Sequence, residues 1–278
     1  MTTVDAMTTT SFAPPPVRPG GFGRILLILV SIGLVLAGVL AASGVGFRAI
    51  RGAETVRTSY DGVQELRVSA DADDVIVTAR SGPEVDVALT THRSFREPEV
   101  SAEQDGALLV LRGDCPGVFG WFSVGRCSAD YEITAPAGTS VALESNAGSL
   151  SAAGMRANAV LRSQAGDVEV ADHEGDLVLS TSAGEVVAND VAASQIRARS
   201  QAGDLLILAR TAPDQITAET QAGDVDITVP DATYAIETDT SAGSVDSSGI
   251  RTDPNAPRRI EASTSAGDIT LSSPAPLS

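Results

Sequence analysis

The sequence predicts an all-β protein, a single-stranded β-solenoid similar to a parallel β-helix, preceded by one transmembrane helix. Three observations predict this architecture. A five-residue motif recurs seven times, mostly at intervals of 18–20 residues, and such a period is typical of stacked structural repeats with one rung per interval. Runs of alternating apolar and polar residues flank the copies, as in β-strands. An uncharged apolar segment, long enough to cross a bilayer, precedes the array.

The first element in chain order is this apolar segment, which lies between Arg24 and Arg48. We expect residues 1–22, rich in Thr and Pro, to form a disordered cytoplasmic arm, residues 23–47 a transmembrane helix, and residues 48–57 a linker. A cleaved secretory signal is the alternative, because Val39-Leu40-Ala41 is a small-residue cleavage site. The long preceding arm and the length of the apolar run favour a membrane anchor.

Arginines flank the helix on both sides, so charge does not decide its orientation. Cys115 and Cys127 are the only cysteines and are candidates for one disulfide, a bond that persists in oxidising compartments. Long domains also translocate largely regardless of charge. We therefore predict a single-pass membrane protein with an extracytoplasmic C-terminal domain, whose helix has the cell membrane as its partner.

The domain that follows the helix is strongly acidic. Residues 52–278 contain 15 arginines and 35 acidic residues, a formal net charge of −20. Such a surface repels nucleic acid, so we expect no nucleic-acid partner. The charge either keeps the repeat array soluble or forms an acidic docking surface.

Residues 58–135 alternate in polarity but lack the motif, and we predict that they form irregular leading rungs of the solenoid. They include the Cys115–Cys127 loop, which carries the only tryptophan, Trp121, beside Phe119 and Phe122. If the loop is exposed, these aromatic residues are candidates for partner binding. If it folds over the solenoid, the loop is a hydrophobic plug fastened by the disulfide.

Residues 136–272 are the regular repeats, and residues 273–278 are a Pro-containing tail. The motif reads Ser/Thr, Asn/Gln/Ser, Ala, Gly, Asp/Glu/Ser. Residues at the same motif position in successive copies form a column along the stack. Alternation predicts that the Ser/Thr and Ala columns face inward, as do the columns two residues before the Ser/Thr and two residues after the Gly. The Asn/Gln/Ser column is predicted to face outward. The glycine supplies positive φ or close backbone approach at a turn. The turn glycines are Gly148, Gly166, Gly184, Gly203, Gly223, Gly243 and Gly267.

A membrane helix followed by repeated Ser/Thr-Xaa-Ala-Gly-Asp rungs resembles the bacterial "putative adhesin" family, over about residues 55–272. The resemblance implies a β-solenoid that is often attached to a membrane segment. It brings no catalytic residues to positions of this chain.

Two polar columns of the repeat are candidate sites. The acidic residues after the glycine would align along one edge, either as turn formers or as calcium ligands. Calcium needs several oxygens converging on one point, whereas each rung offers one carboxylate and two copies have Ser149 or Ser244 there. The outward column would form a row of amides and hydroxyls, which either stabilises the stack or binds a glycan. We expect no cofactor and no metal site.

The sequence thus favours a non-catalytic, adhesin-like module that binds an envelope protein or glycan. A polysaccharide-cleaving enzyme is the first alternative, with paired carboxylates such as Asp172 with Glu174 or Asp224 with Asp226, near arginines such as those at positions 197 and 199. A structural spacer without a specific ligand is the second.

Overall fold

The computed structural model describes residues 52–93, 99–114 and 128–273. The chain divides into two units, Met1–Ile50 and Arg51–Ser278, and the described residues all belong to the second. The regular elements in this part of the chain are β-strands, which confirms the all-β prediction. The strands are β1 Gly52–Asp61, β2 Glu65–Ala70, β3 Val75–Arg80, β4 Glu84–Arg93, β5 Glu99–Asp105, β6 Leu108–Asp114, β7 Ser128–Pro136, β8 Ser140–Ala147, β9 Leu150–Ala153, β10 Ala159–Ala165, β11 Val168–Glu174, β12 Leu177–Ser180, β13 Val186–Ala192, β14 Gln195–Arg199, β15 Leu205–Ala209, β16 Gln215–Ala222, β17 Val225–Thr228, β18 Thr233–Thr240, β19 Val245–Asp246, β20 Arg251–Thr252, β21 Arg258–Ala266 and β22 Ile269–Ser272.

These strands form two sheets of eleven strands each. Sheet A has the order β1-β4-β7-β3-β9-β11-β13-β15-β17-β22-β19, and sheet B has the order β20-β18-β21-β16-β14-β12-β10-β8-β2-β6-β5. Each rung is one strand of sheet B followed by one strand of sheet A, with the motif at the corner between them. Equivalent residues of neighbouring rungs pair in parallel, as Leu161 does with Leu143 and Leu179.

The core lies between the two sheets and is built from the inward columns. The residue two before the Ser/Thr is fully buried at Leu143, Leu161 and Leu179, and the residue two after the Gly is equally buried at Leu150 and Val168. The prediction for these columns holds through most of the stack. Apolar side chains on one face of each strand therefore give two sheets that bury each other.

The predicted inward direction of the Ala column is wrong. Ala165, Ala183 and Ala202 are exposed, although the Ser/Thr residues two positions earlier are buried. The alternation ends here because the backbone turns the corner at this point. These alanines form bridges with one another from rung to rung, so the column requires a small side chain for close stacking on the outside of the corner.

The rungs do not stack in chain order at the C-terminal end. Strands β21 and β22 lie between β16–β17 and β18–β19, so the sixth motif copy occupies the terminal rung and the seventh copy precedes it. This explains two departures from the predicted burial. Thr238 is only half-buried, and Val245 is 42% exposed, because no complete rung stacks beyond them.

The leading region contains two rungs that stack in parallel. The rung β2–β3 stacks onto β8–β9, and β6–β7 stacks onto β2–β3. Strands β1, β4 and β5 instead pair antiparallel and form the N-terminal end of the two sheets. Strand β1 begins at Gly52, inside the segment predicted as a linker, because its residues pair with β4 along their whole length.

Several predicted segments lie outside the described residues. They are the arm at 1–22, the helix at 23–47, the cysteine loop and the tail beyond Ser273. Within the part of the chain that the structure describes, no helix has the length and hydropathy needed to cross a membrane.

Candidate functional site

The corner between sheets B and A is held by a hydrogen bond that repeats in every motif copy. The Ser/Thr hydroxyl donates to the backbone carbonyl at the glycine position of the neighbouring rung, as Ser163 does to Gly148 at 3.1 Å and Thr220 to Gly203 at 3.1 Å. The seven bonds measure 2.9–3.3 Å. Because a single O–H donor suffices, Ser and Thr are interchangeable in this column.

The motif glycine allows neighbouring corners to approach closely. Gly203 has a φ of +146°, which side-chain-bearing residues rarely adopt, and an added Cβ would overlap the carbonyl oxygen of Gly184. The same carbonyl accepts the hydroxyl of Ser200. The Ser/Thr and Gly columns therefore form the two sides of one contact. This explains why all seven copies have a hydroxyl side chain at the first position and Gly at the fourth.

The acidic column after the glycine is engaged with the backbone. Asp204 Oδ1 accepts the N–H of Asp224 at 2.8 Å, and Asp224 Oδ1 accepts the N–H of Asp268 at 2.8 Å. Asp268 in turn accepts the N–H and hydroxyl of Ser244, and these bonds lower its pKa. The carboxylates thus connect successive corners, which supports their interpretation as turn formers.

The outward column at the second motif position is a row of amides and hydroxyls. Gln164 Nε2 donates to Asn146 Oδ1 at 2.6 Å, and Asn146 Nδ2 donates to Asp71 Oδ1 at 2.7 Å. Further along, Gln201 Nε2 donates to Ser182 Oγ at 3.3 Å. These contacts join neighbouring rungs, yet the amides remain exposed to solvent and retain further donors and acceptors.

A second outward column stands one residue before each Ser/Thr. Arg162 lies 3.3 Å from Glu144, and Arg199 lies 3.0 Å from Glu219, in each case between side chains on neighbouring strands. Exposed pairs of this kind contribute little to stability. Their effect is to place charges of both signs beside the amide row.

Shallow depressions lie between these two columns. One has a volume of about 390 Å³ and the other about 330 Å³, and both are lined by Ser163 and Ser180, so they adjoin. We call this surface the corner groove. Its outward polar side chains are Glu144, Asn146, Arg162, Gln164, Ser182, Arg199, Gln201, Glu219 and Gln221.

The carboxylate pairs considered for an enzyme have structural contacts. Asp172 and Glu174 lie 3.0 and 3.5 Å from Arg210, which also contacts Asp190 at 3.1 Å. Of the second pair, Asp224 connects two corners as described above. Among the described residues, no group of three His, Cys, Asp or Glu side chains is placed to hold a metal ion.

Arg197 and Arg199, the arginines considered beside them, are both exposed on strand β14. Arg199 borders the corner groove, whereas Arg197 is not among its lining residues. The structure therefore brings one of the two to the candidate surface.

Asp73 is a buried carboxylate that sequence reasoning missed. It is 1% exposed, and its Oδ1 accepts the N–H of Ala129 at 2.5 Å. Among the described residues Asp73 Oδ2 has no hydrogen-bond partner, and neither has the hydroxyl of buried Tyr131. Burial, together with the charges of Asp130 and other nearby carboxylates, raises the pKa of Asp73 to about 6 against the effect of the Ala129 bond.

A signal for Asp73 was present in the sequence. Ala70 pairs with Ser145 and Val75 with Leu150, so Ala70-Asp71-Ala72-Asp73-Asp74 aligns with a motif copy but has Ala at the Ser/Thr position and Asp at the glycine position. The side chain lies against the next rung, β6–β7, where the N–H of Ala129 donates to it. Gly113 of that rung leaves room for it, since a Cβ added there would lie 3.3 Å from Asp73 Oδ2.

His173 is the second buried polar residue that sequence reasoning missed. It has no exposed surface, and neither ring nitrogen has a hydrogen-bond partner in the described part of the chain. Burial lowers its pKa to about 4, slightly offset by Glu174. The neutral imidazole therefore acts as a core side chain at the corner opposite the motif.

The predicted partner-binding residues Phe119, Trp121 and Phe122 lie outside the described residues, as do Cys115 and Cys127. Their disulfide and their contacts stay predictions. The strands before and after this segment in the chain, β6 and β7, neighbour β5 and β4 in the two sheets.

Comparison with known families identifies a match. The model of the family described as Toastrack DUF4097 matches residues 120–272, more than half of the chain. No curated protein matches the chain.

Several solved structures are similar to this chain. A "putative adhesin" from Bacteroides fragilis is 13% identical, covers 79% of this chain and 97% of its own, and gives a TM-score of 0.48. One from Parabacteroides distasonis is 14% identical, with 80% and 97% covered and a TM-score of 0.36. A "putative cell adhesion protein" from Clostridium sporogenes is 10% identical, with 80% and 100% covered and a TM-score of 0.34.

Proposed function

This chain belongs to the Toastrack DUF4097 family, and on that premise we propose that it is a non-catalytic, membrane-anchored module whose solenoid binds a ligand outside the cytoplasm. The family match agrees with the adhesin-type resemblance of the seven motifs. The anchor is the apolar segment at residues 23–47, which directly precedes the solenoid. The ligand is a glycan of the cell envelope.

The observation that carries the proposal is the continuity of the corner groove across rungs. Amides and hydroxyls recur at each rung, at the ~4.8 Å spacing of stacked strands. A linear polysaccharide with regularly repeated hydroxyls can therefore contact several rungs at once, and many weak hydrogen bonds add up along its length. Exposed Arg199 and Glu219 add charged donors and acceptors at the groove margin.

A non-catalytic role is supported by the contacts of the candidate carboxylates. Asp172 and Glu174 are paired with Arg210, and Asp224 accepts a backbone N–H. A general acid in a glycosidase needs a raised pKa and a position beside the scissile bond. The described carboxylate with a raised pKa of about 6, Asp73, is buried rather than in the groove.

Binding can be tested with the full-length protein and purified envelope polysaccharides of its host. We expect binding to weaken at least about tenfold when Gln201 and Gln221, which line the groove, are both replaced by Ala. Asn189→Ala is the matched control, since it removes an exposed amide from sheet A. Equal affinity of all variants would exclude the groove as the site, and release of shortened glycans would favour the polysaccharide-cleaving alternative.

The location can be tested on intact cells that express the chain with a C-terminal tag. External protease should remove the tag, and thiol alkylation should find Cys115 and Cys127 blocked. A protected tag with both thiols free would place the solenoid in the cytoplasm and contradict envelope binding. Removal of the tag without binding to any envelope glycan would leave a protein partner or the spacer alternative.

A further inference from the structure

Strand β1 is a long edge of sheet A. Its ten residues pair with β4 on one side, and it ends the sheet in the described part of the chain. Residues 55–59 are all exposed, and Val56 reaches 50%, the largest exposure of a large apolar side chain among the described residues. Long exposed edges of this kind pair readily with another strand.

Strand β5, the long edge of sheet B at the same end of the solenoid, is protected by its charges. Its seven residues include Glu99, Glu103 and Asp105 and no basic residue. Symmetric antiparallel pairing of two β5 strands centred on Ala102 sets Glu99 opposite Asp105, and centring on Ser101 sets Glu99 opposite Glu103. Like charges directly opposite are destabilising, so β5 resists self-association.

The charges of β1 have the opposite effect. A two-fold axis perpendicular to the sheet preserves its faces, so a symmetric antiparallel pair must be centred on one residue. Centring on Ser59 sets Arg57 of each copy opposite Asp61 of the other, which gives two oppositely charged pairs. It also places Val56 diagonal to Tyr60 of the second copy, within reach of the aromatic ring. Neither Arg57 nor Asp61 has an ion pair among the described residues.

We propose that β1 is a homodimer interface, in which two copies pair antiparallel about Ser59 and join their A sheets into one continuous sheet. Backbone hydrogen bonds along the two edges give affinity, as in strand addition. The Arg57–Asp61 pairs select the register and a second copy as the partner. The interaction surface is separate from the corner groove, because β1 is an edge of sheet A and the groove lies at the motif corner, along strands of sheet B.

Charge reversal tests the proposal with the full-length protein in detergent, by sedimentation equilibrium at protein concentrations up to about 200 µM. Arg57→Asp should raise the dimer dissociation constant at least about tenfold, because it turns two attractive pairs into two repulsive ones. Asp61→Arg should do the same. The double variant R57D/D61R restores complementary charges and should restore the dimer. Circular dichroism controls for folding.

A cysteine at the centre of the pair tests the register. Ser59→Cys should form a disulfide between copies under mild oxidation, identified by mass spectrometry as a peptide linked through position 59, whereas Ala102→Cys on β5 should not. A monomer at all concentrations, single variants that dimerise like the wild type, or crosslinking at Val56→Cys with none at Ser59→Cys would each overturn the proposal.

Discussion

Replacing Asp73 by Asn should stabilise this protein at neutral pH. Asp73 is buried at the corner of the β2–β3 rung, with one oxygen bonded to the N–H of Ala129. Its other oxygen, Oδ2, and the Tyr131 hydroxyl both lie beside Gly113. A Cβ added to Gly113 would be 3.3 Å from Asp73 Oδ2 and 2.5 Å from the Tyr131 oxygen. Asn keeps an acceptor oxygen toward Ala129 and removes the buried charge.

The magnitude follows from the pKa of Asp73, which burial raises from 3.8 to about 6. At about 1.4 kcal/mol per pKa unit, the ionised carboxylate costs about 3 kcal/mol at neutral pH. Because the folded pKa lies above the unfolded value, the stabilising effect of the proton is fully present below pH 3.8 and is lost as the pH rises through 6. The gain from Asn is therefore largest above pH 6.

Urea denaturation of wild type and Asp73→Asn at pH 7.5, 6, 5 and 4 measures this effect. We expect the variant to gain about 1–3 kcal/mol in the free energy of unfolding at pH 7.5, and the gain to decline toward zero at pH 4. Taking the difference at each pH removes the titration of His173, which both proteins share. The change of this difference with pH then reports the titration of Asp73.

Asp214→Asn is the control for net charge, because it removes one negative charge at an exposed position in another part of the solenoid. A gain at Asp214→Asn equal to that at Asp73→Asn would assign the effect to net charge rather than burial. Destabilisation by Asp73→Asn at every pH would refute the reasoning, since it would mean that the charged carboxylate is the stabilising form.

Three further substitutions test the corners. Burial lowers the pKa of His173 to about 4, so the stability that the neutral imidazole contributes above pH 6.5 is lost as the pH falls toward 4. His173→Leu should remove this loss of about 3 kcal/mol, measured by urea denaturation across this pH range. An equal loss of stability in acid for the variant and the wild type would contradict the prediction. Gly203→Ala should lower the free energy of unfolding by at least about 3 kcal/mol in urea denaturation, because its Cβ overlaps the Gly184 carbonyl. Gly138→Ala is the control and should cost under about 1 kcal/mol, because nothing lies within 4 Å of its added Cβ. Thr220→Val should lose about 1 kcal/mol with its hydroxyl bond, while Thr220→Ser, which keeps the donor, should lose less.

The candidate site was only partly accessible to sequence reasoning. The outward amide column and the repeat glycines follow from alternation and a fixed period, and the groove lies along that column. Arg162 and Arg199 enter the groove margin because each stands beside a glutamate of the neighbouring strand, which depends on register between rungs. The direction of the Ala column was mispredicted, since period-two alternation stops where the chain turns.

Asp73 shows why sequence reasoning misses a buried carboxylate. Its rung hides the motif, because Ala70 stands where the seven copies have Ser or Thr, and Asp73 stands where they have Gly. The side chain contacts Ala129 of the β6–β7 rung, which comes later in the chain. Sequence adjacency therefore hides the contact that decides its burial and its pKa.

The sequence by itself determined the rung: two short strands, a Ser/Thr donor, a glycine corner and the apolar columns of the core. These features are local, because side-chain alternation and the conformation of glycine act within about twenty residues. Only the tertiary structure decided the order of the rungs, the insertion of β21–β22 before the terminal rung, and which strands form the edges. Every rung presents the same backbone hydrogen-bonding edge to its neighbours, so local pattern permits several stacking orders, and the choice rests on contacts between residues distant in the chain.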